Sequence, residues 1–223
     1  MFLRRTRSFQ PFNQKSIEKE ETLVEKLRIA AFGYGGVGKT SLIKRFLYDE
    51  FRDEYCETIE DDYRQVLEYN DITCDVTILD TAGNHQFPAM RKLAIESCHG
   101  FILVYSVDSQ KSFEEVKRLY NIIIDIKKTP NVPIILVANK SDTHAREVPN
   151  DEAYILINAM GNKCEFIEAS AKFNLNTKLV FYDLMRLISE EKNEILELEL
   201  INKNRSRSRI SSLRASFSHV IKL

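Results

Sequence analysis

Hydrophobic and polar positions along this chain follow two alternating rhythms. Short apolar runs recur at intervals: Leu27-Arg28-Ile29-Ala30-Ala31-Phe32, Val76-Thr77-Ile78-Leu79 and Ile134-Ile135-Leu136-Val137-Ala138. Runs of this length, bounded by polar and glycine-containing breakers, read as buried strands. Between them lie stretches such as Ser41-Leu42-Ile43-Lys44-Arg45-Phe46-Leu47, whose apolar spacing reads as an amphipathic helix. The pattern predicts strands over 27–33, 61–69, 72–80, 100–106, 133–138 and 164–168. It predicts helices over 39–48, 87–97, 112–127, 150–160 and 176–190. This alternation implies an α/β fold, a mostly parallel six-stranded sheet flanked by helices on both faces. Ligands in such sheets bind beyond the carboxyl ends of the strands, so the residues after each strand carry the functional question.

Composition narrows the class. A length of 223 residues, with 43% hydrophobic and 29% charged residues, suits one globular domain with tails. Residues 1–25 are polar and mixed in charge and read as a flexible N-terminal extension; 26–190 hold the alternating pattern; 191–223 form a helical and basic tail. No apolar stretch is long enough to cross a bilayer, and the first residues lack the apolar core of a signal peptide. Cys56, Cys74, Cys98 and Cys164 are scattered without a C-x-x-C pair, which suits reduced thiols in the cytoplasm. The net charge of −1 hides an asymmetry: residues 203–223 hold six Lys or Arg and no acid, leaving −7 on residues 1–202.

The strongest local pattern follows the first strand. Gly33-Tyr34-Gly35-Gly36-Val37-Gly38-Lys39-Thr40 fits G-x-x-x-x-G-K-[ST] at every fixed position. Glycines let backbone N–H groups cup an anion, and a helix beginning near Gly38 adds its positive end. Lys39 reaches the β- and γ-phosphates, and the Thr40 hydroxyl is a ligand for Mg²⁺. The loop with Ser41 is therefore a nucleoside triphosphate site, with the base unspecified.

Three further strand ends specify it. Asp80-Thr81-Ala82-Gly83 offers a carboxylate for Mg²⁺ and a backbone N–H at Gly83 for the γ-phosphate. Asn139-Lys140-Ser141-Asp142 offers a carboxylate that accepts two hydrogen bonds from the guanine N1–H and N2–H₂ edge; adenine lacks that donor pair. Ser170-Ala171-Lys172 offers backbone to the guanine O6.

Four such segments, in this order and each at a strand end, resemble the small GTPases of the Ras superfamily over about residues 26–190. The resemblance implies the P-loop NTPase fold, bound GTP or GDP, and Mg²⁺ held by Thr40, Thr58 and Asp80. It implies nucleotide contacts from Gly33, Gly35 to Ser41, Asp80, Gly83, Asn139, Lys140, Asp142 and Ser170 to Lys172, with Phe51 packed on the guanine ring. It gives Lys39, Thr58, Gly83 and Asn84 the catalytic positions. The segment Tyr55-Cys56-Glu57-Thr58-Ile59-Glu60-Asp61-Asp62-Tyr63 resembles the effector segment of Ras proper, and Asn84-His85-Gln86-Phe87-Pro88-Ala89-Met90-Arg91 resembles the Di-Ras and dexamethasone-induced Ras groups. An edge strand carrying Glu60, Asp61 and Asp62 implies an effector with a basic edge strand.

Departures from the family pattern shape the expectations. Asn84 stands where most relatives have Gln, and its amide is about 1.5 Å short, one C–C bond, for orienting the attacking water. His85 next to it reads as a solvated side chain or, in the alternative, as a substitute for that Gln. Glu57 stands where Ras has proline, which loosens the first switch. Gly35 and Gly36 leave room for an arginine finger, and Tyr34 is expected to point away from the phosphates. The tail shows no cysteine after Cys164, hence no prenylation box, and Phe2 excludes myristoylation. Ile210, Leu213, Phe217, Val220 and Ile221 share helical spacing within a basic segment, which reads as a membrane-surface or calmodulin-type helix, or as a disordered basic tail. No RNA fold or interleaved aromatics accompany the arginines, so nucleic acid is not an expected partner.

The functional expectation is a GTP-binding signalling switch with slow GTP hydrolysis. It would recruit effectors and answer to an exchange factor and a GTPase-activating protein, in the cytoplasm or at the inner face of the plasma membrane. The alternative is a GTP-binding scaffold that hardly hydrolyses or cycles.

Overall fold

The computed structural model describes residues 24–54, 56–58, 60–69, 72–83, 88–195 and 197. The N-terminal extension up to 23, the tail from 198, and Tyr55, Ile59, Asn84 and His85 lie outside the described residues, as does the side chain of Glu60.

Six strands, β1 (Glu25–Gly33), β2 (Glu60–Tyr69), β3 (Ile72–Thr81), β4 (Gly100–Ser106), β5 (Ile134–Asn139) and β6 (Cys164–Glu168), form one sheet in the order β2-β3-β1-β4-β5-β6. β2 runs antiparallel to β3, and the remaining neighbours are parallel. The apolar runs are continuous because the central strands are covered on both faces. In β1, Leu27, Ile29 and Ala31 point to one side and Ala30 and Phe32 to the other, each essentially without solvent contact. The first side is covered by α1 (Lys39–Tyr48) through Leu42, Ile43 and Phe46, and by α5 (177–195) through Val180, Phe181 and Leu184. The second is covered by α2 (Pro88–Ser97), α3 (Gln110–Lys127) and α4 (Asn150–Ala159), with Ile95, Phe113, Val116 and Ala153 buried.

Two helices exceed their sequence pattern. α3 begins at Gln110, two residues early, because the Ser109 hydroxyl caps it by accepting from the Ser112 N–H. α5 runs to 195, five residues late. Its last turns are tied to the body by ion pairs of Lys192 with Glu25 and of Lys163 with Glu194 (2.5 Å).

β1 lies between β3 and β4, where the chain turns from building one half of the sheet to the other. The carboxyl ends of β1, β3, β4, β5 and β6 open on one side, and the candidate site sits there. Among the described residues no helix is long and apolar enough to cross a membrane.

Candidate functional site

Residues from all five of these strand ends line a cavity of about 460 Å³, within the range that holds small ligands. Its walls are the phosphate loop, the segment 50–58, Asn139–Thr143, and Ala171 with Lys172.

The phosphate end is built on Gly38. It opens α1 at φ 93, the left-handed region, and no side chain caps the helix there, so its first N–H groups are not taken by a cap. A Cβ on Gly38 would strike the Asn139 amide. Lys39 folds back under the loop, its Nζ donating to the carbonyls of Gly33 (3.0 Å) and Tyr34 (3.1 Å). Burial lowers its pKa to about 8, against the opposing attraction of Asp80. A desolvated ammonium beside an anion cradle gains most when a phosphate arrives. Tyr34 points away from the cradle: Lys111 Nζ lies 4.7 Å from its ring centroid, and the ring packs on the core.

Three hard oxygens converge next to it. The Thr40 hydroxyl donates to Asp80 Oδ2 (2.5 Å) and lies 2.8 Å from the Thr58 hydroxyl. Asp80 is fully buried, and among the described residues its Oδ1 has no hydrogen-bond partner. Burial pushes its carboxyl above the ordinary range, with the Thr40 hydroxyl and Lys39 pulling the other way. A buried, half-satisfied carboxylate with two hydroxyls fits a hard divalent cation such as Mg²⁺, which takes oxygen ligands and few protein carboxylates.

The base end is held by side chains that brace one another. Asp142 is exposed to the cavity, and the Ser170 hydroxyl donates to its Oδ1 (2.6 Å), leaving the other oxygen uncommitted to Ser170. Asn139 spends both ends of its amide on the protein: Nδ2 donates to the Val37 carbonyl (2.8 Å), and Oδ1 accepts from the Ala171 N–H (3.2 Å). It is a strut joining the phosphate loop to the Ala171 loop. Phe51 forms part of the wall. Gly33, Val37, Asp80 and Ser170 stand behind the lining and support it, whereas Gly35, Gly36, Gly38 to Ser41, Phe51, Thr58, Gly83, Asn139, Lys140, Asp142, Ala171 and Lys172 reach the cavity.

Of the expected effector residues, Asp61 and Asp62 are exposed on edge strand β2, where Arg28 lies 3.9 Å from Asp62. Tyr63, on the same side of β2 as Asp61, turns to the face opposite Asp62. Its ring packs against the core near Tyr48, and burial, with Asp80 next, pushes its pKa up to about 12. The motif reading passed over Arg45, which binds the Ala171 and Lys172 carbonyls from behind, and over Asp108 and Thr143, which line the cavity. The only local trace of Arg45 was its i,i+4 spacing to Asp49.

A phosphate loop feeding the first helix of a parallel sheet with one antiparallel edge strand, and a carboxylate after β5, define the class: this is a small GTPase. The chain belongs to the Ras family, whose model matches residues 28–190. It is similar to the GTP-binding protein Di-Ras2 of Macaca fascicularis, 46% identical over 178 residues, which cover 79% of this chain and 87% of that one. It is also similar to the GTP-binding protein Di-Ras1 of Homo sapiens, 48% identical over 161 residues, 72% of this chain and 80% of that one. The likeness to the Di-Ras group expected from 84–91 is borne out.

Proposed function

We propose that this chain is a GTP-dependent switch that hydrolyses GTP slowly and recruits effectors through the loops flanking β2 and following β3. The observation that carries the reading is the Thr58–Thr40 hydroxyl contact of 2.8 Å. Thr58 belongs to a segment without regular structure, and its tie to the phosphate loop is through oxygens that suit a cation–phosphate complex. The γ-phosphate and its cation hold such a loop in place, and hydrolysis releases it.

In this reading Asp142 reads the guanine edge and Phe51 stacks on the ring. Lys39 and the N–H groups from Gly35 to Ser41 hold the phosphates, and the Gly83 N–H meets the γ-phosphate. Thr40, Thr58 and Asp80 would hold Mg²⁺, which supplies charge neutralisation between the phosphates. Asn84 orients the attacking water from one methylene further away than Gln does. The relatives are named GTP-binding proteins, in accord with this assignment. Asp61 and Asp62, exposed on the free edge of the sheet, are the surface offered to an effector's basic strand. The tail from 203 attaches the protein weakly to the inner face of the plasma membrane, with exchange factor and GTPase-activating protein acting at the switch loops.

Single-turnover hydrolysis tests the cycle. The wild-type rate is expected at or below about 4 × 10⁻⁴ s⁻¹, the intrinsic level of Ras, and Asn84→Gln raises it. A wild-type rate well above that level would remove Asn84 from its role. No hydrolysis even with cytosolic extract would favour a GTP-binding scaffold.

A further inference from the structure

Arg45 sits on the last turn of α1, with its side chain only 15% exposed, and it does not line the cavity. Its guanidinium spends three nitrogens on three carbonyls. Nε donates to Ala171 O (3.0 Å), Nη2 to Lys172 O (3.2 Å) and Nη1 to Asp49 O (2.7 Å). Its Cζ lies 5.7 Å from the Phe51 ring centroid, within cation–π range. We propose that Arg45 is the positioning residue of the base end: one rigid fork aims the Ala171–Lys172 backbone and backs the Phe51 ring, and so sets how long a guanine nucleotide stays bound. The inference rests on the assignment of this cavity to guanine nucleotides.

The physical argument is peptide planarity. In a trans peptide the carbonyl and the following N–H point in opposite directions. Holding the Ala171 carbonyl on the Arg45 side therefore turns the Lys172 N–H to the other side, where Ala171 and Lys172 line the cavity. Holding the Lys172 carbonyl fixes the next peptide in the same way. Its N–H, that of Phe173, donates to the Ser170 hydroxyl (3.1 Å), which in turn donates to Asp142. Two bonds of one guanidinium thus orient both the O6-facing backbone and the seryl brace of the carboxylate. The third bond reaches Asp49, which leaves α1 in the left-handed conformation at φ 56 and is also held by the Asn174 amide (2.9 Å). Asp49 is two residues before Phe51, so the aromatic wall and the O6 loop share one anchor. Lysine cannot take this place, because a single ammonium lacks the planar fork.

The test is the dissociation rate of fluorescent GDP, beside that of the 2-aminopurine riboside diphosphate, which lacks O6. Arg45→Gln is expected to speed GDP release about tenfold, the effect of losing one neutral hydrogen bond, that of the aimed backbone N–H to O6, of about 1.4 kcal/mol. It should also shrink the preference for GDP over the O6-less analogue by a similar factor, because the O6-facing backbone is no longer aimed. Arg45→Lys should fall between the two. A side chain that merely stabilised the fold would speed both nucleotides alike and leave the preference unchanged. An unchanged preference, or GDP release within about twofold of wild type, overturns the proposal. If Arg45→Gln does not fold, Arg45→Lys is read by the same criteria. A wild-type protein that binds no guanine nucleotide overturns the site assignment, and the role of Arg45 with it.

Discussion

Gly83→Ala is a test in which the structure supplies the magnitude. Gly83 follows β3, and its Cα lies against the phosphate loop. An added Cβ would lie 2.8 Å from the Tyr34 carbonyl carbon and nearer still to Gly35 N and Cα, where ordinary contact begins at 3.4 Å. These are backbone atoms, which cannot rotate aside. One of the two segments must move by about 1 Å to restore ordinary contact. The phosphate loop is pinned by Lys39 on the Gly33 and Tyr34 carbonyls and by Asn139 on the Val37 carbonyl, so the Gly83 segment yields. A positioning group displaced by about 1 Å loses about a hundredfold, or about 2.7 kcal/mol. GDP has no γ-phosphate and does not use the Gly83 N–H. The variant should therefore bind GDP within about threefold of wild type, while its preference for a non-hydrolysable GTP analogue over GDP falls about a hundredfold. Stopped-flow dissociation of both fluorescent nucleotides at fixed Mg²⁺ measures the ratio. An unchanged ratio refutes the role of the Gly83 N–H. Loss of GDP as steep as loss of the analogue shows instead that the clash passes into the phosphate loop.

Asp142→Asn should weaken guanine binding and strengthen binding of xanthine nucleotides, which carry a carbonyl where guanine has its amine; unchanged GDP affinity in a competition titration removes Asp142 as the reader. His99 accepts the Arg28 N–H at Nδ1 (2.9 Å), and burial, then Lys192 and Lys127, hold its pKa below the ordinary histidine value. The unfolded chain therefore binds the proton more readily, and stability rises with pH through the window from the folded pKa to about 6.5 and is lost as pH falls through it. The melting temperature should drop between pH 7.5 and 5.5, and His99→Asn, whose Oδ1 keeps an acceptor, should flatten the drop; an equal slope in both proteins sinks the assignment. Truncation after Asn202 should abolish salt-sensitive co-sedimentation with anionic vesicles, since six basic residues contribute at most about 1 kcal/mol each before screening. Equal sedimentation with and without the tail would make a calmodulin-type protein its partner instead.

The sequence by itself determined the elements and the chemistry that depends on neighbours in the chain. The strands β1, β4 and β5 were legible because both faces are buried, so their runs are apolar apart from Arg28 in β1 and the polar residues at the strand ends. The phosphate loop was legible because an anion cradle needs glycine, lysine and threonine at fixed local spacing. The ends of α3 and α5 were less so, since the α3 start rests on a serine cap and the end of α5 on the ion pair of Lys192 with Glu25, 167 residues away in sequence. Only the tertiary structure decided which motif residues face the ligand and which brace the wall. Asn139, at a position that reads as base contact, gives both amide ends to the protein, and Tyr63, within a segment that reads as effector surface, is half-buried and packs against the core. Arg45 lay outside every motif because its partners Ala171 and Lys172 stand 126 and 127 residues away in sequence. Local pattern encodes what a residue can do within a turn or two of chain; where a carbonyl from β6's end comes to lie beside α1 is fixed by the strand order of the sheet.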